Sequence, residues 1–150
     1  MANVKIVLDM DKRTQELLDR TFRFGVDTLT FLYKLKYNEV FGVPKKQLVR
    51  SSTSIGANYE ESQAAESKKD FVHKIGIVCK ECRESHYWIR VLKAVYEDET
   101  IKEQLNIFEQ EAFEFKKIFI AIKLSAEGKR NSTSNETALT INHQPLAINH

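Results

Sequence analysis

Apolar residues recur along most of this chain at steps of three and four, the period of a helix that buries one face. Leu18, Phe22, Gly25, Leu29 and Leu32 make the first stripe, with Leu17, Phe24, Phe31 and Leu35 beside it, and predict a helix from about Asp11 to Lys36. Gly42 and Pro44 then interrupt the pattern. Proline suits the first turn of a helix and disfavours the helical state just before it, so a second helix is expected to start near Pro44 and run through KKQLVRSSTSIGANYEESQAAE. Ser67 is the expected N-cap of a third helix over about Lys68 to Tyr96. Thr100, with Glu103 three residues on, reads as a capping box opening a fourth. In that helix Ile101, Leu105, Phe108, Ala112, Phe115, Phe119 and Ile122 alternate steps of four and three, the seam of a bundle.

These periods predict an all-α chain, an antiparallel up-down-up-down four-helix bundle with short connections. Its expected organisation is an N-terminal arm over 1–10, the bundle over 11–124 and a C-terminal tail over 125–150. The tail has no sustained period and is rich in Ser, Thr and Asn, so it is expected to be mobile. Composition agrees with the helical reading. The 150 residues include only five Gly and two Pro, too few for the turns of a β-sandwich. No stretch approaches the roughly 18 to 20 apolar residues of a membrane helix, and no membrane contact is expected. Two cysteines, Cys79 and Cys82, cannot form a disulfide framework, and charge breaks the N-terminus before any signal-like run, so a cytoplasmic location is expected. The glycosylation-type triplets at Asn131 and Asn135 are then chance matches.

Charge narrows the candidates further. Twenty-three basic residues against 21 acidic give a net charge of +2, which excludes a histone-like binder and leaves only a local basic footprint. Lys34, Lys36, Lys45, Lys46 and Arg50 face Glu39 alone over residues 34–50, a local +4, with Tyr33, Tyr37 and Phe41 interleaved. Antiparallel packing brings Arg90 and Lys93 to the same end of the bundle. Such a cluster can track phosphates while its rings stack on bases, which makes RNA or DNA the candidate partner. With Lys45 and Lys46 opening the second helix, unpaired backbone N–H groups would add to the phosphate site.

Catalytic patterns are missing: no phosphate loop, dinucleotide fingerprint or nucleophile elbow occurs, and no catalytic residue, cofactor or enzymatic activity is expected. Cys79, Cys82 and His86 share a helical face, but structural zinc needs four ligands. The remaining histidines are His73, His143 and His150, so the cysteines read as small buried hydrophobes and no metal is expected. Glu81 and Glu84 resemble a paired-carboxylate site, yet the bundle di-metal motif Glu-x-x-His is absent. The second helix presents Arg50, Ser54, Asn58 and Glu61 in one polar stripe. A structural network between that stripe and the two carboxylates is the preferred account. Gly25, Gly56 and Gly76, inside helices, are expected to permit close helix approach. The first helix carries two apolar stripes, and Phe113 and Ile120 lie outside the main seam of the fourth. These are scattered exposed residues or the surface of a homo-oligomer.

Two segments carry a family resemblance over about residues 11–124. RSSTSIGANYEES and KDFVHKIGIVCKECRESHYWIRVL resemble the second- and third-helix patterns of the 23S rRNA intervening-sequence proteins, also called four helix bundle proteins. The matched positions are Ser54, Ile55, Asn58 and Glu61, then Asp70, Phe71, Glu81, Glu84 and Trp88. The chain departs from the pattern at Cys82, usually a small residue such as alanine, and at Ser62, usually glycine. The resemblance implies an up-down four-helix bundle that tends to form a homopentamer, without known enzymatic activity. Members are encoded within insertions in bacterial ribosomal RNA genes or as free-standing genes. A related bundle is the accessory protein of diversity-generating retroelements, where it binds a reverse transcriptase and nucleic acid; this is an analogy of fold, and a protein-binding scaffold or accessory subunit without direct nucleic-acid contact is the alternative reading.

Overall fold

The computed structural model describes residues 2–36 and 38–129, with side chains from residue 11 onward. It contains α1 (Ala2–Lys34), α2 (Glu39–Gln63), α3 (Lys68–Val95) and α4 (Glu99–Ala126), and no strand occurs among the described residues. The fold is the all-α four-helix bundle expected from the periodicity. Residues 130–150, and with them the expected mobility of the tail, lie outside the described part.

The helix starts differ from the expectation for local reasons. α1 reaches back to Ala2, through the segment expected to be a separate arm. α2 opens at Glu39, not Pro44, because the Asn38 side chain accepts hydrogen bonds from the N–H groups of Val40 and Phe41 at 2.9 and 3.4 Å. Pro44 therefore sits inside the helix, where it cannot donate to the carbonyl of Val40. α4 is capped by Asp98, whose carboxylate accepts from the N–H groups of Thr100 and Ile101, and the capping box at Thr100 does not form. Ser67 caps α3 as expected, accepting from Asp70 N at 3.1 Å. At the other end of α4 the N–H groups of Gly128 and Lys129 bond to the carbonyls of Ser125 and Leu124, a Schellman closure that requires the positive φ of Gly128.

Contacts between neighbouring helices step up one as they step down the next. Ser51 meets Ser85, while Glu61, further along α2, meets Lys74, earlier on α3. Likewise Gly25 lies against Thr53 and Gly56 against Thr21. Lys93 meets Glu109, while Gly76, earlier on α3, lies beside Lys123, further along α4; consecutive helices are thus antiparallel, and each packs chiefly on its neighbours in the chain.

The two seams of α1 are built by opposite means. Toward α2 the backbones come close, since a Cβ on Gly25 would stand 3.4 Å from Thr53 Cα and one on Gly56 would stand 3.4 Å from the carbonyl of Thr21. Toward α4 the helices stay further apart, and rings span the gap: Phe24 meets Phe115 edge-on at 5.3 Å, and Phe31 meets Phe108 at 5.3 Å. Arg20 crosses the same seam with a two-pronged hydrogen bond to Glu111, at 2.5 and 2.7 Å. This geometry revises the first apolar stripe. Thr21, Phe24, Gly25, Thr28 and Leu32 are buried, whereas Phe22 and Leu29 stay 68% and 48% exposed. The close α1–α2 seam has room for threonine and glycine, so the larger residues are displaced outward. The α4 stripe behaves as expected, with Leu105, Ala112, Phe115 and Phe119 fully buried.

Candidate nucleic-acid interface

Both connections of one bundle end meet around Tyr96. Phe41 packs against its ring at 4.9 Å, and the Lys45 ammonium sits 5.8 Å from the same ring while donating to the carbonyl of Lys36 at 3.1 Å. The candidate cations are thereby sorted. Lys34, Lys36, Lys46 and Arg90 are exposed and form no ion pair among the described residues. Lys45 is tied to the α1–α2 connection, Lys93 pairs with Glu109, and Arg50 with Glu84. The expected help from helix-start N–H groups at Lys45 and Lys46 is overturned. Both lie more than a turn inside α2, and the first turn carries Glu39 instead. Of the interleaved rings, Tyr33 is 88% exposed, Phe41 is half-buried on Tyr96, and Tyr37 lies outside the described residues.

The polar network across α2 and α3 is narrower than the spacing implied. The Arg50 guanidinium binds Glu84 and stands 3.8 Å from Glu81. Ser54 and Asn58 do not reach the carboxylates: Asn58 donates to the carbonyl of Ser54 within its own helix, at 2.8 Å, and Glu61 pairs with Lys74 at 3.7 Å. A buried hydrogen bond between the hydroxyls of Ser85 and Ser51, 2.9 Å long, holds the helices together deeper in. Residue spacing gave no sign of it, since serine on a helix usually bonds its own backbone.

The two carboxyls titrate apart. The hydrogen bond from Arg50, aided by its charge and opposed by burial, holds Glu84 below the usual carboxylate range. Burial, reinforced by the charge of Glu84 and opposed by Arg50, lifts Glu81 above it. Glu81 is 6% exposed, and its Oε2 has no hydrogen-bond partner among the described residues. On the same face of α3 the buried Trp88 Nε1 makes no hydrogen bond of normal geometry, although its proximity helps to hold Glu84 low.

Cys82 is fully buried and Cys79 half-buried, and burial raises both thiols above their ordinary range, Cys82 furthest. His86 leans toward α4, 5.9 Å from the Phe113 ring and 3.8 Å from Glu109. Burial, then the charge of Lys116, lowers its pKa. Among the described residues no three His, Cys, Asp or Glu side chains are grouped to hold a metal ion, and no helix is long and apolar enough to cross a membrane.

Comparison with known proteins places the fold. No curated protein matches the chain. A crystal structure of a protein of unknown function from the S23 ribosomal protein family of Bacteroides thetaiotaomicron VPI-5482 superposes with a TM-score of 0.64 at 31% identity, covering 73% of this chain and 96% of that one. Residues 13–121 match the family described as 23S rRNA-intervening sequence protein. A sequence match across most of the bundle, joined to a structural neighbour covered almost whole, makes this chain a member of the 23S rRNA-intervening sequence protein family.

Proposed function

We propose that this protein is a non-enzymatic, oligomeric bundle that associates with RNA or DNA through its basic loop end. The observation that carries the reading is the set of exposed cations Lys34, Lys36 and Lys46, unpaired among the described residues, in and beside the α1–α2 connection that packs on Tyr96. Glu97, Asp98 and Glu99 stand nearby, but Asp98 is engaged as an N-cap and Glu99 pairs with Lys102 at 2.9 Å. The family description names 23S rRNA, which makes RNA the first polymer to try. The non-enzymatic part is supported by the engagement of Glu84 with Arg50 and by the burial of Cys82.

Oligomerisation would repeat this modest patch around a symmetric assembly and let weak sites act together. It is supported by Phe22, Val26, Leu29 and Tyr33, which form an exposed apolar line on α1 beside a cleft of about 290 Å³ floored by Gly25, Thr53, Gly56 and Ala57. That line also supports the second reading, a scaffold that docks a different protein there.

The test is Lys36→Glu with Lys46→Glu, because Lys45 is part of the packing around Tyr96 and its loss would confound binding with stability. Binding of single-stranded RNA is measured by fluorescence anisotropy at two salt concentrations. Weaker binding with a flatter salt dependence is the expected result. Unchanged binding would move the site elsewhere, and no binding by the wild-type protein would favour the scaffold.

A further inference from the structure

The α3–α4 face carries a second arrangement of charge and rings. Phe113 stands 46% exposed on α4, with the ammonium groups of Lys117 and Lys116 at 5.1 and 5.4 Å from its ring centre and the His86 ring at 5.9 Å. A cleft of about 450 Å³ opens between these rings, lined also by Asn106, Glu109 and Gln110. Glu109 in its lining is paired with Lys93 and lies 3.8 Å from His86, and Glu114 beside Phe113 is paired with Lys117 at 2.6 Å, so both carboxylates are neutralised by a lysine and Lys116 is the cation left over the ring. Lys116, Arg90 and Lys93 all bear electrostatically on His86, and further along the same seam Lys80, Arg83 and Lys123 line a second cleft beside Cys79. Cations therefore line the α3–α4 seam from one end toward the other, and the exposed ring sits among them.

An aromatic face flanked by cations is poorly suited to a protein core and well suited to a base whose phosphates pass alongside. Stacking is sequence-tolerant because every base has a π-face, and the phosphates need only a positive track. Asn106 and Gln110 add amide groups that can hydrogen-bond the edge of an unpaired base. In a duplex the bases are already stacked and shielded, so the cleft selects single strands.

We propose that the α3–α4 cleft is a base-stacking site for single-stranded nucleic acid, with Phe113 as the platform and Lys116, Arg83 and Arg90 as the phosphate track. This extends the nucleic-acid reading above to a different face and rests on it, while the loop-end cations remain a separate element.

The probes are a fluorescein-labelled oligouridylate, its DNA counterpart, an abasic ribose-phosphate oligomer of the same length and a blunt RNA duplex. Phe113→Ala is expected to weaken oligouridylate binding by about fivefold to a hundredfold, the range for loss of one stacked base, and to leave abasic binding and the salt slope unchanged. Phe113→Trp is expected to retain binding. Lys116→Gln is expected to weaken the abasic and uridylate oligomers alike and to flatten the slope. Equal loss for the RNA and DNA single strands assigns the site to bases and phosphates alone, whereas a loss confined to RNA adds contact to the 2′-hydroxyl. Phe113 is half exposed, so the variants are expected to keep the wild-type melt and assembly size, and both are checked. Wild-type-like oligouridylate binding by Phe113→Ala would overturn this site while leaving the loop-end reading standing. Equal affinity of the wild-type protein for the uridylate and abasic oligomers would also overturn it. No binding of any probe by the wild-type protein would overturn both readings.

Discussion

Glu81 and Glu84 stand one turn apart on α3, yet their neighbours pull their protons in opposite directions. Glu84 is held low by Arg50, so its contribution to stability is present above the unfolded carboxylate range and is lost as pH falls through its folded value. Glu81 is held high by burial. The folded state binds its proton more tightly than the unfolded state does, so stability falls as pH rises from the ordinary glutamate range through the raised folded value. Glu81→Gln removes a buried charge whose Oε2 has no hydrogen-bond partner among the described residues. It is expected to melt at or above the wild-type temperature at neutral pH, with the gap closing under acid. Glu84→Gln should melt below wild type at neutral pH and converge with it in acid. Thermal melts across that range check both, and a Glu81→Gln protein less stable than wild type at neutral pH would refute the assignment. At this scale the sequence was partly legible. The pairing of Arg50 with Glu84 follows from two helical spacings, whereas the Ser51–Ser85 bond depends on which serines face inward. That is decided by the register of two whole helices.

Between elements, the width of each seam decides which residues are buried. α1 lies close to α2 because Gly25 and Gly56 present no side chain there, and this is why Thr21 and Thr28 occupy core positions while Phe22 and Leu29 do not. Gly56→Ala should be nearly neutral, since a gain in helix propensity of about 1 kcal/mol is set against a contact at 3.4 Å. Gly56→Leu should destabilise by about 1–3 kcal/mol, read from the denaturant midpoint, because a long side chain must push α1 away. Little change in midpoint would show that the seam is looser than described. All four helices were legible from periodicity, which responds to long stretches of chain. Their starts were less so. Asn38 and Asp98 are ordinary capping residues, but Pro44 and the Thr100–Glu103 spacing offered equally good local alternatives. On α1 the spacing of large apolar residues points to Phe22 and Leu29 as well as to Gly25 and Leu32, but close packing against α2 buries Thr21 and Thr28 and leaves Phe22 and Leu29 outside.

For the whole molecule, the exposed line Phe22, Val26, Leu29 and Tyr33 is the feature a lone bundle does not need. Phe22→Glu with Leu29→Glu should lower the assembly mass measured by light scattering while leaving helicity unchanged, since neither residue enters the core. A chain ending at Ala126 should assemble as the full-length protein does. A wild-type monomer at micromolar concentration would exclude self-association. The chain's neighbour-to-neighbour packing has a further effect on the time course of folding. Each extensively packed pair is joined by a short connection, so little loop entropy is lost before contacts form. The most extensive association is between α2 and α3, with α4 packed on α3 and α1 on α2. Structure can therefore grow outward from a central hairpin, and a ribosome releasing the chain from its N-terminus withholds that hairpin's second half until α3 emerges. Until then α1 and α2 have only their glycine-lined seam to share, and the phenylalanines of α1 wait for α4, the last of the four described helices to leave.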